Sequence, residues 1–192
     1  MRRLAGSILL ISSLGFLGLT QAVPVAAATK PLVTLTFDEL PTQPVNGLIF
    51  RGVTFGFEVE GVSSTDAFYN SGGPTATVVQ PPVLEGDARG ELTLHFDKPT
   101  NVLRFGVVLS CPECSLRPGF FVELLSPGGR SRGIIAVDTT STPASRFGWA
   151  EGQFSYQGAA LGTAVITFNS TFHPEPSFLR FALDNLTFKR IK

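Results

Sequence analysis

The chain has 192 residues, with 15 Lys+Arg balanced by 15 Asp+Glu, 20 Gly, 14 Pro, 17 Phe and two Cys. Removing residues 1–28 deletes Arg2 and Arg3 and no acid, leaving 13 cationic against 15 acidic side chains. That balance offers no phosphate-binding field and excludes nucleic acid as a natural partner. The Phe-rich, Gly- and Pro-punctuated composition points to short strands rather than helices.

Met1-Arg2-Arg3 is a positive n-region, followed by an uncharged apolar stretch from Leu4 to Leu19 and small residues through Ala28. This reads as a secretory signal peptide over residues 1–28, with Ala26-Ala27-Ala28 as the cleavage site and Thr20-Gln21-Ala22 as an earlier alternative. The remaining 29–192 form one domain of about 165 residues. No later apolar stretch is long enough to span a bilayer, so no membrane span is expected after cleavage. Nothing after Phe188 resembles a sorting signal, and release into the periplasm or medium is expected.

Apolar and polar residues then alternate along the chain. Val33, Leu35 and Phe37 oppose Thr34, Thr36 and Asp38; Val53, Phe55, Phe57 and Val59 oppose Thr54, Gly56 and Glu58. Leu92, Leu94 and Phe96 oppose Glu91, Thr93 and His95; Leu103, Phe105, Val107 and Leu109 oppose Arg104 and Gly106; Leu179, Phe181 and Leu183 oppose Arg180, Ala182 and Asp184. These are half-buried strands of period two. Shorter runs at 76–79, 120–125, 134–137, 153–156 and 164–168 bring the expected number to about ten to twelve. Asn46-Gly47 and Ser126-Pro127-Gly128-Gly129 are hairpin turn signals. Two antiparallel sheets packed face to face, a jelly-roll-like β-sandwich, follow from this spacing. The segments 61–74 and 138–147 break the alternation and read as long loops.

Cys111-Pro112-Glu113-Cys114 carries both cysteines. In an exported chain this spacing favours a local disulfide over zinc or redox chemistry, because Ser115-Leu116-Arg117-Pro118-Gly119 starts no helix to activate a thiolate. His95 and His173 have neither ligand spacing nor a nucleophile motif beside them. Asp66, Glu85, Asp87, Glu151 and Glu175 fall at loops or strand ends, which leaves a carboxylate-pair hydrolase or lyase as the enzymatic alternative to a non-catalytic domain. For sugar binding, an aromatic plane beside a polar group is needed; Tyr69 with Asn70 and Asp66, and Trp149 with Glu151, are the pairs that offer it.

Thr36-Phe37-Asp38-Glu39-Leu40 and Leu183-Asp184-Asn185-Leu186-Thr187-Phe188 echo each other near the two ends. Asp38, Glu39, Asp184 and Asn185 are hard oxygen donors that would share one Ca2+ if the first and last strands are neighbours; turn formation is the competing role for the same residues.

With Thr36-Phe37-Asp38-Glu39-Leu40-Pro41, Phe50-Arg51-Gly52-Val53-Thr54-Phe55 and Phe181 to Phe188, the chain resembles the secreted β-sandwich domains of bacterial exosortase-sorted (PEP-CTERM) proteins. The segment 66–73 and Gly152-Gln153-Phe154-Ser155-Tyr156-Gln157-Gly158 add to the likeness, although the chain lacks the family's C-terminal sorting element, in which Pro-Glu-Pro leads into an apolar helix and a basic tail. More loosely the chain is similar to jelly-roll carbohydrate-binding modules, and that similarity implies a structural calcium at Asp38, Glu39 and Asp184. The expected function is binding of an extracellular glycan or matrix component, with a protein-adhesion domain as the alternative.

Overall fold

Among the described residues the alternating runs become twelve strands, and every pairing between them is antiparallel. The computed structural model describes residues 31–111, 115–141, 148–170 and 179–191. The strands are β1 (Val33–Leu35), β2 (Gln43–Pro44), β3 (Ile49–Phe50), β4 (Val53–Val59), β5 (Val62–Ser63), β6 (Ala67–Ser71), β7 (Val83–Asp87), β8 (Gly90–Ser110), β9 (Leu116–Leu125), β10 (Ser131–Ser141), β11 (Trp149–Phe168) and β12 (Arg180–Arg190).

Two of these are long enough to serve both layers of a sandwich. The first part of β8, through His95, pairs with β4 on one side and the end of β11 on the other; its second part, from Thr100, pairs with β12 and the start of β11. Register shifts between His95 and Thr100 in β8, and between Gln157 and Leu161 in β11, mark where the two strands pass from layer to layer. The first layer is therefore β4, the first part of β8, the end of β11, β9 and β10, with β3 and β5 on β4. The second is the start of β11, the rest of β8, β12, β7, β6 and β2. The expected two-sheet sandwich is thus one hydrogen-bonded network folded over on itself.

The core between the layers is aromatic. Phe181 of β12 stacks on Phe168 of β11, with centroids 4.0 Å apart, and meets Phe57 of β4 at 5.9 Å. Phe105 of β8 meets Phe120 of β9 at 6.2 Å, and Tyr69 of β6 meets Phe55 of β4 at 6.5 Å. Each pair joins one layer to the other, and all of these rings except Phe168 are at most 1% exposed.

Several expectations change in detail. The runs at 92–96 and 103–109 are one strand, as are 153–156 and 164–168. The run at 76–79 is a loop, not a strand. Ala76, Val79 and Val83 cover Val108 and Ala182 on the outer surface of the second layer, forming a small apolar cluster of their own. A Cβ at Gly106 would lie 2.2 Å from the carbonyl oxygen of Val78, so the close approach of this loop requires glycine there. The segment 61–74 contains β5 and β6 instead of one long loop. Ser126 to Gly129 does close the β9–β10 hairpin, whereas Asn46-Gly47 turns the chain between strands that pair elsewhere. Among the described residues no helix is long and apolar enough to cross a membrane.

Candidate functional site

The outer face of the first layer gathers side chains from five strands in two cross-strand rows. One row runs Glu58, Glu91, Thr167, Phe121, Ala136; the next runs Gly56, Thr93, Val165, Glu123, Ile134. Strand alternation places them there: Leu92, Leu94, Ala164, Ile166, Phe120 and Val122 are buried in the core, so their neighbours point outward. The missing side chain at Gly56 leaves the second row open at one end.

Two adjoining depressions follow from this relief. One, of about 220 Å³, is lined by Glu58, Glu60, Arg89, Glu91, Thr167 and Phe168 among others. The other, of about 180 Å³, is lined by Glu91, Phe121, Glu123, Ile134, Val165 and Thr167. Glu91 and Thr167 belong to both and form the ridge between them. Arg89 at the far end is tied to the buried carboxylate of Asp87, which fixes its guanidinium in place.

Glu91 is electrostatically perturbed. Partial burial pushes its carboxyl above the ordinary value, and the neighbouring Glu58 and Glu123 push it further the same way. The protonated acid is favoured by folding, so its contribution is present at low pH and is lost as pH rises through the raised value. Glu91→Gln should therefore raise the melting temperature at neutral pH. The gain should shrink toward zero as pH falls below 4.5, where the unfolded carboxyl is protonated too. Equal gains at pH 7 and pH 4 in parallel thermal melts would refute the repulsion among the three glutamates.

Of the residues expected from sequence to bind sugar, Tyr69 is taken into the core, and Asn70, Asp66 and Trp149 make contacts with the scaffold. Tyr69 is fully buried, ringed by Phe37, Phe50 and Phe55, and its hydroxyl donates to Glu39 Oε2. It is no stacking platform: a phenol with an internal acceptor gains more inside than on the surface. Asn70 donates through Nδ2 to the Leu40 carbonyl at 2.8 Å, and Asp66 accepts from Arg180 at 2.9 Å. Trp149 is half-buried and packs against the loop cluster with Val78. Its expected companion Glu151 accepts the amides of Thr77 and Val78 at 2.8 and 3.1 Å, which pins that loop.

First and last strands are indeed neighbours: Val33, Thr34 and Leu35 lie opposite Phe188, Thr187 and Leu186. Their acids are nevertheless turned to protein donors. Glu39 Oε1 accepts from the Thr36 amide at 3.1 Å and from Arg51 at 3.3 Å; Asp38 Oδ1 accepts from the Thr36 hydroxyl at 2.6 Å. Asp184, 3% exposed, accepts from the amides of Gln80 and Asn185 and from Asn185 Nδ2. Asp184-Asn185 sits where β12 exchanges β7 for β1 as partner, and Asn185 takes the left-handed conformation (φ 56°) that the irregularity demands. Among the described residues no three His, Cys, Asp or Glu side chains gather so as to hold a metal ion. As arranged, these oxygens are engaged in turn and bulge hydrogen bonds.

Cys111 is buried next to the end of β8, its amide bonded to the Gly148 carbonyl; Cys114 lies outside the described residues, as do the signal segment, His173 and Glu175. His95 is exposed and its Nδ1 lies 3.0 Å from Thr163 Oγ1. Sequence reading passed over Glu58, Glu91, Phe121 and Glu123 as sites, although each carries the polar or outward phase of its strand.

No protein-family model matches the chain, so none backs the likeness to exosortase-sorted proteins. No curated protein matches it. Solved structures similar to it include the CBM22-1–GH10 modules of Clostridium thermocellum endo-1,4-β-D-xylanase 10B complexed with xylohexaose: 14% identity, TM-score 0.41, covering 86% of this chain and 29% of that one. The CBM22-1 xylan-binding domain of Paenibacillus barcinonensis Xyn10C matches at 15% identity and TM-score 0.35, over 87% of this chain and 99% of that one. The K1 cleaved adhesin domain of Lys-gingipain from Porphyromonas gingivalis W83 matches at 15% identity and TM-score 0.36, over 84% and 99%.

Proposed function

We propose that the chain is an exported, non-catalytic binding domain whose first-layer outer face takes up a hydroxyl-rich extracellular polysaccharide. The observation that carries this reading is the pair of adjoining depressions bridged by Glu91 and Thr167, with Phe121 beside them. Their floor is rich in acceptors, Glu58, Glu91 and Glu123, with hydroxyls from Thr93 and Thr167 in the same rows. Sugar hydroxyls can donate to these carboxylates, and a half-exposed aromatic edge suits the apolar face of a pyranose. An elongated shallow surface takes several residues of a polymer weakly rather than one small molecule tightly.

Retention of the purified domain on insoluble and soluble polysaccharides is the test. Phe121→Ala should weaken retention about fivefold, the equivalent of ~1 kcal/mol of ring contact, and Glu91→Ala should weaken it as well, while Trp149→Ala should leave it unchanged. Failure of every glycan to retain the protein, or loss of retention with Trp149→Ala alone, would remove this face from consideration.

Hydrolysis is the second reading, and one observation favours it: Glu91 stands on the ridge shared by both depressions, with Glu58 lining one and Glu123 the other, and partial burial together with these two carboxylates raises its carboxyl. Release of oligosaccharide that ceases in Glu91→Gln would establish it in place of simple binding.

A further inference from the structure

The last strand of the first layer leaves one edge open. β10 pairs with β9 from Ser131 to Thr139, regularly from Gly133 to Val137 and with register irregularities at Arg132 and Asp138 on either side, and only Thr140 and Ser141 reach β11. From Arg132 to Val137 the other edge has no ladder partner among the described residues. Every residue from Ser131 to Ala136 is exposed, Ile134 at 64% and Ile135 at 38%. Open edges are commonly protected by proline, lysine, inward charge or a bulge. Here Ile134-Ile135-Ala136-Val137 carries none of these; charge and the register irregularities stand only at its two flanks, Arg132 and Asp138, symmetrically about Ile135.

We propose that this edge pairs with the same edge of a second copy of the chain, antiparallel about a two-fold axis at Ile135. Directly opposed residues in an antiparallel ladder share a face, so a two-fold normal to the sheet must pass through a residue and not between two. An axis at Ile135 sets Ile135 against itself, Ile134 against Ala136, Gly133 against Val137 and Arg132 against Asp138. That register satisfies both charges twice and keeps all apolar residues together. An axis at Ala136 sets Asp138 against Ile134; one at Ile134 sets Arg132 against Ala136. Charge complementarity thus selects a second copy and one register. The contact is isologous and closes at two chains, joining the two first layers into one continuous sheet.

Sedimentation equilibrium of the mature protein from low micromolar to millimolar concentration reads the association. A concentration-dependent dimer is expected. Ile135→Lys should return it to monomer while leaving the melting temperature of the dilute protein within a few degrees of wild type. Arg132→Asp should weaken the dimer about tenfold, since each of two cross-strand pairs becomes like-charged, and adding Asp138→Arg should restore it. A protein that stays monomeric at the highest concentration, or a dimer indifferent to Ile135→Lys, overturns the proposal. Failure of the double reversal to restore the dimer overturns the register.

Discussion

Phe181→Ala should destabilise the domain by about 3–5 kcal/mol, the range for deleting a fully buried aromatic ring. Phe181 has no exposed surface and touches both Phe168, at 4.0 Å and 13° between planes, and Phe57, at 5.9 Å. These partners belong to the opposite layer, so the cavity opens at the seam where the two layers meet. A Cβ at Gly86 would come within 2.7 Å of the Phe181 ring, which shows how closely the backbone of β7 is packed against it. Against a total stability of roughly 5–15 kcal/mol, the loss is severe. Urea unfolding should show a lower midpoint with an unchanged slope. A loss below about 1 kcal/mol would mean that the layers re-pack freely and that the seam is not held by these rings.

Tyr69→Phe should cost about 1–3 kcal/mol although it removes a single oxygen, because it leaves a carboxylate oxygen of Glu39 without its donor in a largely buried place. Glu39→Ala should cost at least as much, since it strands the buried hydroxyl, the Thr36 amide and Arg51 together. The double variant should be less damaging than the sum, with a coupling of about 0.5–3 kcal/mol in a double-mutant cycle; strict additivity would refute the pairing. Burial, and after it the bond to Glu39, holds the Tyr69 phenol far above its ordinary value of 10.0. The folded state therefore keeps a proton that the unfolded chain releases above about pH 10. Stability from this group is intact below that pH and declines as pH rises beyond it, and Tyr69→Phe should flatten that alkaline decline.

Much of the architecture was legible because strand phase is written residue by residue. Glu91, Thr93 and His95 alternate with Leu92, Leu94 and Phe96, and burial follows that alternation without exception. The echo of 36–40 in 183–188 raised the adjacency of the two ends only as a condition, and β1 does lie on β12. Strand continuity was not legible. The runs at 92–96 and 103–109 read as separate strands, yet the chain stays extended between them because β8 changes layer there while keeping partners on both sides of the bend. Tyr69 was read as exposed because Asn70, Ser71 and Gly72 beside it are turn formers. Its burial comes from Phe37, Phe50 and Phe55, which belong to other segments. The glutamate face was hidden for a related reason. Glu58, Glu91 and Glu123 each look like the solvated phase of a separate strand, and only the register between strands brings them together.

The pairing of β1 with β12 also decides how the domain answers tension. Val33 enters its strand opposite Phe188, close to where β12 leaves the ladder, so chain flanking both strands departs on the same side. A pull applied there loads the Val33–Phe188 pair first and then the next, opening backbone bonds in succession instead of shearing them all at once. β1 would come away early, carrying the Phe37–Glu39 turn and with it the acceptor for the Tyr69 hydroxyl. The long ladder of β8 with β11 lies inside the sandwich and off this line of force. Held between two anchored points, such a domain lengthens under small loads by peeling one edge, while the glutamate face on the far layer keeps its shape.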